Sequence, residues 1–393
     1  MPRRYRVGVV GFGTAGGLAA YLLAGDGHEV ALLDQTPRLG PAGAGILLQP
    51  SGQAVLKQVG LLDAVLARAA PIDELDARHV GGRPLVCNRY GDYAPGVRAY
   101  GVHRGVLFGV LRDAVATRPV DVRLACEVTR RDVTPAGVFL LDACGTRHGP
   151  FDFVLACDGA RSRLRAACGF RAQVWPYSHA TLWAIAPGTG VPNKLYQVVD
   201  GTRRLCGLVP LGDGLCTLYW GLPARDYPAT VARGIGPLKR EIAAFCPQAE
   251  PLLDFIHGFD QLLLTRYQAV RMPRWHDRHT LFLGDAAHAM SPHLGQGVNL
   301  ALVDAWRFAA CLRAAPDPAT AFRRFVAVQQ AYLRYYWLVT LGLSPFFQGD
   351  GRVLGWGRDV FLPLLPRVPW VKRQMLMTVG GLKGGFLRGE VAV

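Results

Sequence analysis

Gly11, Gly13 and Gly16 stand in a Gly-x-Gly-x-x-Gly arrangement with Thr14 and Ala15 before the last glycine, and Asp34 follows 23 residues after Gly11. Gly11 permits a tight turn, Gly13 lets a pyrophosphate approach the backbone, and Gly16 lets a helix pack closely on a strand. Phosphates would then face the helix N-terminus, where unpaired N–H groups and the dipole favour negative charge. A carboxylate at Asp34 suits ribose hydroxyls and repels a 2′-phosphate. This pattern alone does not separate one dinucleotide from another. Glycines serving only a turn are the plain alternative, disfavoured by the joint occurrence of strand, helix and acid.

Two later runs set ionisable groups beside glycines. Phe153-Val154-Leu155-Ala156-Cys157-Asp158-Gly159-Ala160-Arg161-Ser162-Arg163-Leu164-Arg165 is an apolar stretch meeting an Asp-Gly turn and a basic helix start. Gly159 supplies the turn, Asp158 an acceptor, and the arginines phosphate-attracting charge. An ordinary strand-turn-helix would account for it as well. Leu281-Phe282-Leu283-Gly284-Asp285-Ala286-Ala287-His288 continues through Pro292 and His293 to Gly295-Gln296-Gly297-Val298-Asn299. Gly295 and Gly297 bare backbone N–H groups at a helix start, again a place for negative charge.

The elements that must position these runs follow from periodicity. Arg6 to Val10 reads as a buried strand, Thr14 to Ala24 as a helix and Glu29 to Leu33 as a second strand, a βαβ opening. Between about Phe170 and Arg271, short β-type runs (Thr181 to Ile185, Arg204 to Val209, Leu215 to Trp220) alternate with Gly/Pro turns and predict a mainly antiparallel sheet. Helical periodicity returns from Val298 to Leu312 and from Thr320 to Leu333, with Pro316 and Pro318 between. Beyond Tyr335 the chain is rich in Gly, Pro and Trp, which predicts a compact cap of short helices.

Length and composition bound the rest. At 393 residues, half of them hydrophobic and 19% charged, the chain can build more than one core and is not disordered. The net charge of +15 comes from 44 scattered Lys and Arg residues, without a basic stripe, and is read as attraction for anionic small molecules rather than nucleic acid. Nine cysteines without a C-x-x-C pair argue against a disulfide framework or zinc site, so no metal is expected and a reducing cytoplasm fits. The Arg-flanked N-terminal apolar run is too glycine-rich for a secretory signal. The uncharged stretch from Tyr335 to Gly349 is too short and broken to span a bilayer, which leaves contact with a membrane surface open. The sequence does not set an oligomeric state.

The Asp158-Gly159 run resembles the Asp-Gly motif of the p-hydroxybenzoate hydroxylase-like (group A) FAD-dependent aromatic monooxygenases, and Gly284-Asp285 with Gly295-Gln296-Gly297-x-Asn299 and Asp304 closely resembles that family's Gly-Asp motif. Gly43 to Gly52, including Gly45 and Gln49, resembles its loop closing over the flavin, and Val102-His103-Arg104 the segment whose Arg reaches the FAD phosphate and ribose region. Pro50-Ser51-Gly52 departs from the commoner Pro-Asn-Gly.

The resemblance covers residues 1 to about 320. It implies an α/β fold: a Rossmann-like FAD-binding domain interleaved with a mainly antiparallel β-sheet substrate domain, and a helical C-terminal cap. The expected division gives 1–70, 98–170 and 276–330 to FAD, 71–97 and 171–275 to the substrate, and 331–393 to the cap. It implies noncovalent FAD, NAD(P)H as co-substrate without its own Rossmann domain, O2, and hydroxylation of a small aromatic molecule through a flavin C(4a)-hydroperoxide. In that reading Asp285 meets the ribitol and the loop shaped by Pro292 lies against the isoalloxazine. His293 falls near the flavin face with a pKa range suited to acid or base work, or is a spacer; if it acts, its loss is expected to cost roughly 10²-fold in product per NAD(P)H. His288 reads as structural. Trp183, Tyr196, Tyr219 and Trp220 lie in the sheet that would roof the substrate, their roles unassigned. A flavin-dependent halogenase, a prenyl-chain reductase and a non-catalytic flavin-binding subunit are the competing readings; the Gly-Trp-x-Trp-x-Ile-Pro run of tryptophan halogenases is reduced here to Gly355-Trp356-Gly357-Arg358 in another region.

Overall fold

The computed structural model describes residues 3–38, 44–188, 190–349 and 352–385; Gly43 of the expected flavin-covering loop and residues 386–393 of the expected cap lie outside them. Five strands form a parallel sheet in the order Thr280–Phe282, Phe153–Ala156, Arg6–Val10, Glu29–Leu33, Val120–Arg123. Its strands are apolar runs because both faces are covered. The helices Thr14–Gly25 and Gly297–Ala314 pack against each other, and their buried Leu18, Leu23, Leu302 and Phe308 share one core with Val7, Leu32 and Phe153. The two strands read from the first thirty-three residues have the bounds expected of them.

The three motif-bearing strands are therefore neighbours. Because all run the same way, the Gly11 turn, Asp34, the Asp158 turn and the Gly284-Asp285 turn emerge at one edge, the C-terminal edge where open α/β sheets take ligands.

The antiparallel sheet has more strands than the local β-type runs between Phe170 and Arg271 suggest. Its seven strands run Leu263–Arg271, Gln173–Pro187, Leu215–Pro223, Arg204–Gly212, Lys194–Asp200, Glu74–His79, Pro84–Arg89, with one parallel pairing, between Lys194–Asp200 and Glu74–His79. Residues 74–79 and 84–89 join a sheet otherwise built a hundred residues later, a pairing that no local pattern announces. Along Gln173–Pro187 and Leu215–Pro223 side chains alternate between two faces. Leu182, Tyr196 and Trp220 pack one way, onto the helix Ile235–Phe245, with Trp220 edge-on to Phe245. Trp183 and Tyr219 pack the other way, with Leu47 and Phe347.

Two helical expectations need correction. The second long helix begins at Pro318, the first helical position where a missing N–H costs nothing, after Asp317 accepts from Thr320 N at 2.8 Å. It then runs to Phe347, far past Leu333 and through Pro345. Aromatic contacts among Tyr332, Tyr335 and Tyr336 stabilise this continuation, where composition predicts short helices. The helices Arg352–Phe361 and Pro369–Val379 follow. No helix among the described residues is long and apolar enough to cross a membrane.

Candidate active site

Gly11 adopts φ +101°, and a Cβ there would lie 2.5 Å from the Cys157 carbonyl oxygen, so the first turn presses against the Asp-Gly turn. A Cβ on Gly16 would collide with the Gly11 carbonyl, as close helix packing requires. At Gly13, by contrast, a Cβ would meet nothing within 4 Å: open space fronts the N-terminus of the helix Thr14–Gly25. Thr14 is half-buried and Ala15 buried, the latter against Gly284.

Asp34 is partly spent on the protein. One oxygen accepts from Phe12 N at 2.6 Å, the other from Thr36 N at 2.8 Å and Thr36 Oγ1. It holds the glycine turn in place from the end of the second strand. Asp158 accepts from Leu164 N at 3.2 Å through Oδ2, while its Oδ1 is buried without a partner; burial raises its carboxyl above the ordinary range. Gly159 sits in the turn at φ +80°. The arginines do not all serve an anion: Arg165 is buried and donates to the carbonyls of Ala286 at 2.9 Å and Ala160 at 3.0 Å. It is a strut tying the second motif to the third, a role that residue type alone did not reveal.

Asp285 has its own surface exposed yet is surrounded by protein at longer range, as on the floor of a cleft. Burial raises its carboxyl, opposed by the charges of His288 and of Arg104, the exposed first residue of the helix Arg104–Ala116, with Asp304 adding to the rise. Gly297, also exposed, opens the helix Gly297–Ala314, and Val298 follows half-buried. Gln296 donates to Val379 O and keeps Oε1 buried without a partner; Gly295 takes the left-handed conformation at φ +60° that ends the turn begun by Pro292.

His293 lies beyond this floor. Its Nε2 is buried and unpartnered, its ring centroid is 6.0 Å from that of Phe347, and burial, with the nearby His179, pushes its pKa down to about 4. Phe347 in turn belongs to the cluster of Trp183, whose Nε1 donates to the Tyr267 hydroxyl at 2.9 Å, and Tyr219, whose hydroxyl donates to Gln197 at 3.1 Å. Tyr196 and Trp220 belong to the other face.

Other residues of the motifs have packing duties as well. Asn299 is fully buried, accepting from Gln49 N at 2.9 Å and donating to the carbonyls of Leu47 and Gly295 at 3.0 Å. Gly52 leaves room for that amide, since a Cβ there would collide with Asn299 Oδ1. Ser51 thus does not disturb the loop; the glycine after it does the fitting. Gln49 accepts from the Tyr90 hydroxyl at 2.6 Å and keeps Nε2 without a partner. Gly45 makes room for Leu211 and Thr217 of the large sheet. His288 is structural, its Nε2 2.6 Å from Asp304 Oδ2; Asp304 also accepts from Gly284 N and from Gln329, which in turn accepts from Arg307.

These features fit FAD. Open backbone at Gly13 suits the diphosphate, the cleft-floor carboxylate of Asp285 suits a polyol, and orphaned buried atoms on Gln49 and Gln296 offer polar partners. A cavity of about 400 Å³ lined by Arg4, Arg6, His28 and Arg123 is not this site: it opens near the N-terminal ends of the parallel strands, and its arginines pair with Glu29, Asp152 and Asp121. One trio with metal-ligand spacing exists among the described residues, Cys126, Asp142 and His148. Arg123 lies 2.9 Å from His148 Nδ1 and can only donate, so Nε2 is the donor to Asp142 at 3.0 Å, and the trio is already satisfied by hydrogen bonds.

Comparison with known proteins agrees with this geometry. The family model of an FAD binding domain matches residues 4–319. The chain is 32% identical to a kynurenine 3-monooxygenase of Salinispora arenicola over 84% of this chain and 77% of that one. It is 29% identical to the 3-amino-4-hydroxybenzoate 2-monooxygenase of Streptomyces cremeus over 83% and 84%. The Klebsiella pneumoniae HpxO structure, complexed with FAD and uric acid, superposes with a TM-score of 0.81 at 20% identity, covering 95% of this chain and 97% of that one.

Proposed function

As the chain belongs to the FAD-dependent aromatic monooxygenases that share this FAD-binding domain, we propose that it hydroxylates a small aromatic molecule held between the Gly-Asp loop and the Trp183/Tyr219 face of the large sheet. The observation that carries this reading is the joint occurrence of three features: open backbone at Gly13, the cleft-floor carboxylate of Asp285 and the orphaned His293 Nε2 on a ring beside Phe347, which packs with Trp183 and Tyr219.

The oxidising chemistry is supplied by FAD, with NAD(P)H as reductant and O2 as oxygen source. This chain's part is to bind, orient and exclude water. Gly13 and the helix N-terminus behind it take the diphosphate, Asp34 and Arg104 the ribose and phosphate region, Asp285 the polyol, and Gly297 with the turn of Pro292 to Gly295 the ring. Trp183, Tyr219, Leu47 and Phe347, which pack together on one face of the large sheet, supply the apolar wall against which an aromatic substrate would stay dry. The halogenase reading finds no support, because Gly355-Trp356-Gly357-Arg358 lies in the helix Arg352–Phe361, where Trp356 is exposed. Nine free cysteines fit a reducing cytoplasm.

A pKa of about 4 leaves His293 neutral at ordinary pH, so it serves as hydrogen-bond partner through Nε2 rather than as a standing acid. Its loss is therefore expected to cost about tenfold in product per NAD(P)H, below the 10²-fold typical of a full acid–base role. His293→Ala should leave flavin reduction unchanged, and the coupling of wild type should stay flat from pH 6 to 9; a titration in coupling near neutrality that the variant lacks would count against a neutral imidazole.

The reading as a whole is tested with FAD-loaded protein, NADH or NADPH, and a panel of phenols, quinolones and indoles, with and without halide. Expected is oxidation of the reductant coupled to a product heavier by one oxygen atom. Chlorinated product, or reduction of a substrate without O2 uptake, would overturn it.

A further inference from the structure

We propose that residues 354–370 dock this protein on the surface of an anionic phospholipid bilayer. Of the nineteen large hydrophobic side chains exposed among the described residues, eight fall within these seventeen positions. Trp370 is 69% exposed, Trp356 66% and Phe361 61%, with Leu364, Leu365 and Val368 between them. Scattered apolar residues on a surface are ordinary; a cluster of this density marks a face that something covers.

The inner side of the same segment is held firmly, so the exposure is not that of a loose tail. Gly355 packs on Gly201, and buried Arg358 donates to the carbonyls of Gly201 and Phe346, each at 2.9 Å. Thr202 and Gly349 bond in both directions, Thr202 Oγ1 to Gly349 O at 2.7 Å and Gly349 N to Thr202 O at 2.9 Å. With Gly355 and Arg358 turned inward, Leu354, Trp356, Val360 and Phe361 of the helix Arg352–Phe361 point outward. The turn Leu362–Arg367 packs beside it, and the helix Pro369–Val379 packs on that turn and on the strand Pro84–Arg89. An amphipathic helix and turn of this kind, too short to span, lies in the headgroup region.

Charge selects the occupant. Residues 354–373 carry Arg358, Arg367, Lys372 and Arg373; Arg358 is paired with Asp359, the one acid of the segment, and Lys372 with Asp92 at 2.7 Å, so the exposed positive charge beside the apolar groups comes from Arg367 and Arg373. Arg367 is exposed at the turn between the apolar groups, and Lys372 and Arg373 follow Trp370. Cations beside interfacial tryptophans match an anionic leaflet. A second copy of the chain would instead bring one +15 protein against another. The proposal does not depend on the oxidation chemistry.

The test is co-sedimentation of the FAD-loaded full chain with extruded phosphatidylcholine vesicles, with or without about 30% phosphatidylglycerol. Binding is expected to the anionic vesicles and to weaken in high salt. The triple variant Trp356→Ser, Phe361→Ser, Trp370→Ser should partition about 100-fold less while keeping its FAD content and its turnover of a water-soluble substrate. Arg367→Glu, which changes an exposed side chain, should bind anionic vesicles severalfold less even if the triple variant folds poorly. Failure of wild type to bind anionic vesicles would overturn the proposal, as would equal binding by wild type and both variants. So would a wild-type dimer that the triple variant converts to monomer without any vesicle binding, since a second copy would then be the cover.

Discussion

Gly13→Glu is expected to leave a folded chain that no longer holds FAD. The backbone at Gly13 is extended, φ −88° and ψ −170°, which any residue adopts, and a Cβ there meets nothing within 4 Å. The new side chain therefore costs the protein little, with apoprotein stability expected within about 0.5 kcal/mol of wild type. It projects into the space before the first helix and places a carboxylate where the diphosphate must sit. An affinity loss of about 100-fold or more is expected, about 2.7 kcal/mol. Flavin released on denaturation, measured per chain, should fall from near one toward zero, while the apoprotein melts as wild type does. Full flavin occupancy in this variant would remove the phosphate site from the Gly11–Gly16 turn. The neighbouring Gly16→Ala makes the opposite kind of change: its methyl collides with the Gly11 carbonyl, so the fold itself gives way.

Asp304→Ala should destabilise the protein by about 3–5 kcal/mol, the range for removing one member of a buried charged pair. Asp304 is fully buried and holds three donors at once: Gly284 N at 2.8 Å, His288 Nε2 at 2.6 Å and Gln329 Nε2. The effect has a definite pH dependence. Burial disfavours the charged form of His288, but the charge and hydrogen bond of Asp304, with the charge of Asp285, outweigh it and raise the imidazole above its usual range. Between about 6.5 and the raised value the folded chain binds more protons at His288 than the unfolded chain does. The stabilisation is thus complete below about pH 6.5 and is lost as pH rises through the folded value. His293 runs the other way: with its pKa pushed down to about 4, its contribution is present above pH 6.5 and lost as pH falls toward 4. Since wild type and variant share His293, that contribution cancels in their difference. Urea unfolding at several pH values should show the gap between wild type and Asp304→Ala widest near pH 6 and narrowing toward pH 9. A gap that widens with pH would show that His288 is not held protonated by Asp304.

The residues alone made the cofactor machinery legible because nucleotide binding is read from backbone. Phosphates need open N–H groups and missing side chains, which sequence states directly as glycines at fixed offsets from a strand. Gly11, Gly13, Gly16 and Asp34 follow a strand whose bounds, Arg6–Val10, periodicity already set. The Gly-Asp run was long enough to carry a family resemblance, and the fold and reaction class came with it.

Roles that depend on what lies opposite were decided only by the tertiary structure. Asn299 and Gly45 take packing positions that their residue types did not announce, Arg165 ties two loops together through backbone carbonyls, and Gln329 gave no sign of completing the His288–Asp304 network. Alternation along a strand separates Trp183 from Leu182, yet which face meets the flavin side depends on pairings across the seven strands, including two contributed from residues 74–89. His293 shows the same division: its residue type announced a titratable group, while its burial beside Phe347 and His179 set a pKa far from its usual range. Sequence determined the backbone geometry of this protein's cofactor turns because that depends on residues near in the chain; three-dimensional packing determined what each polar side chain does, because hydrogen-bond partners and dielectric surroundings come from segments distant in sequence.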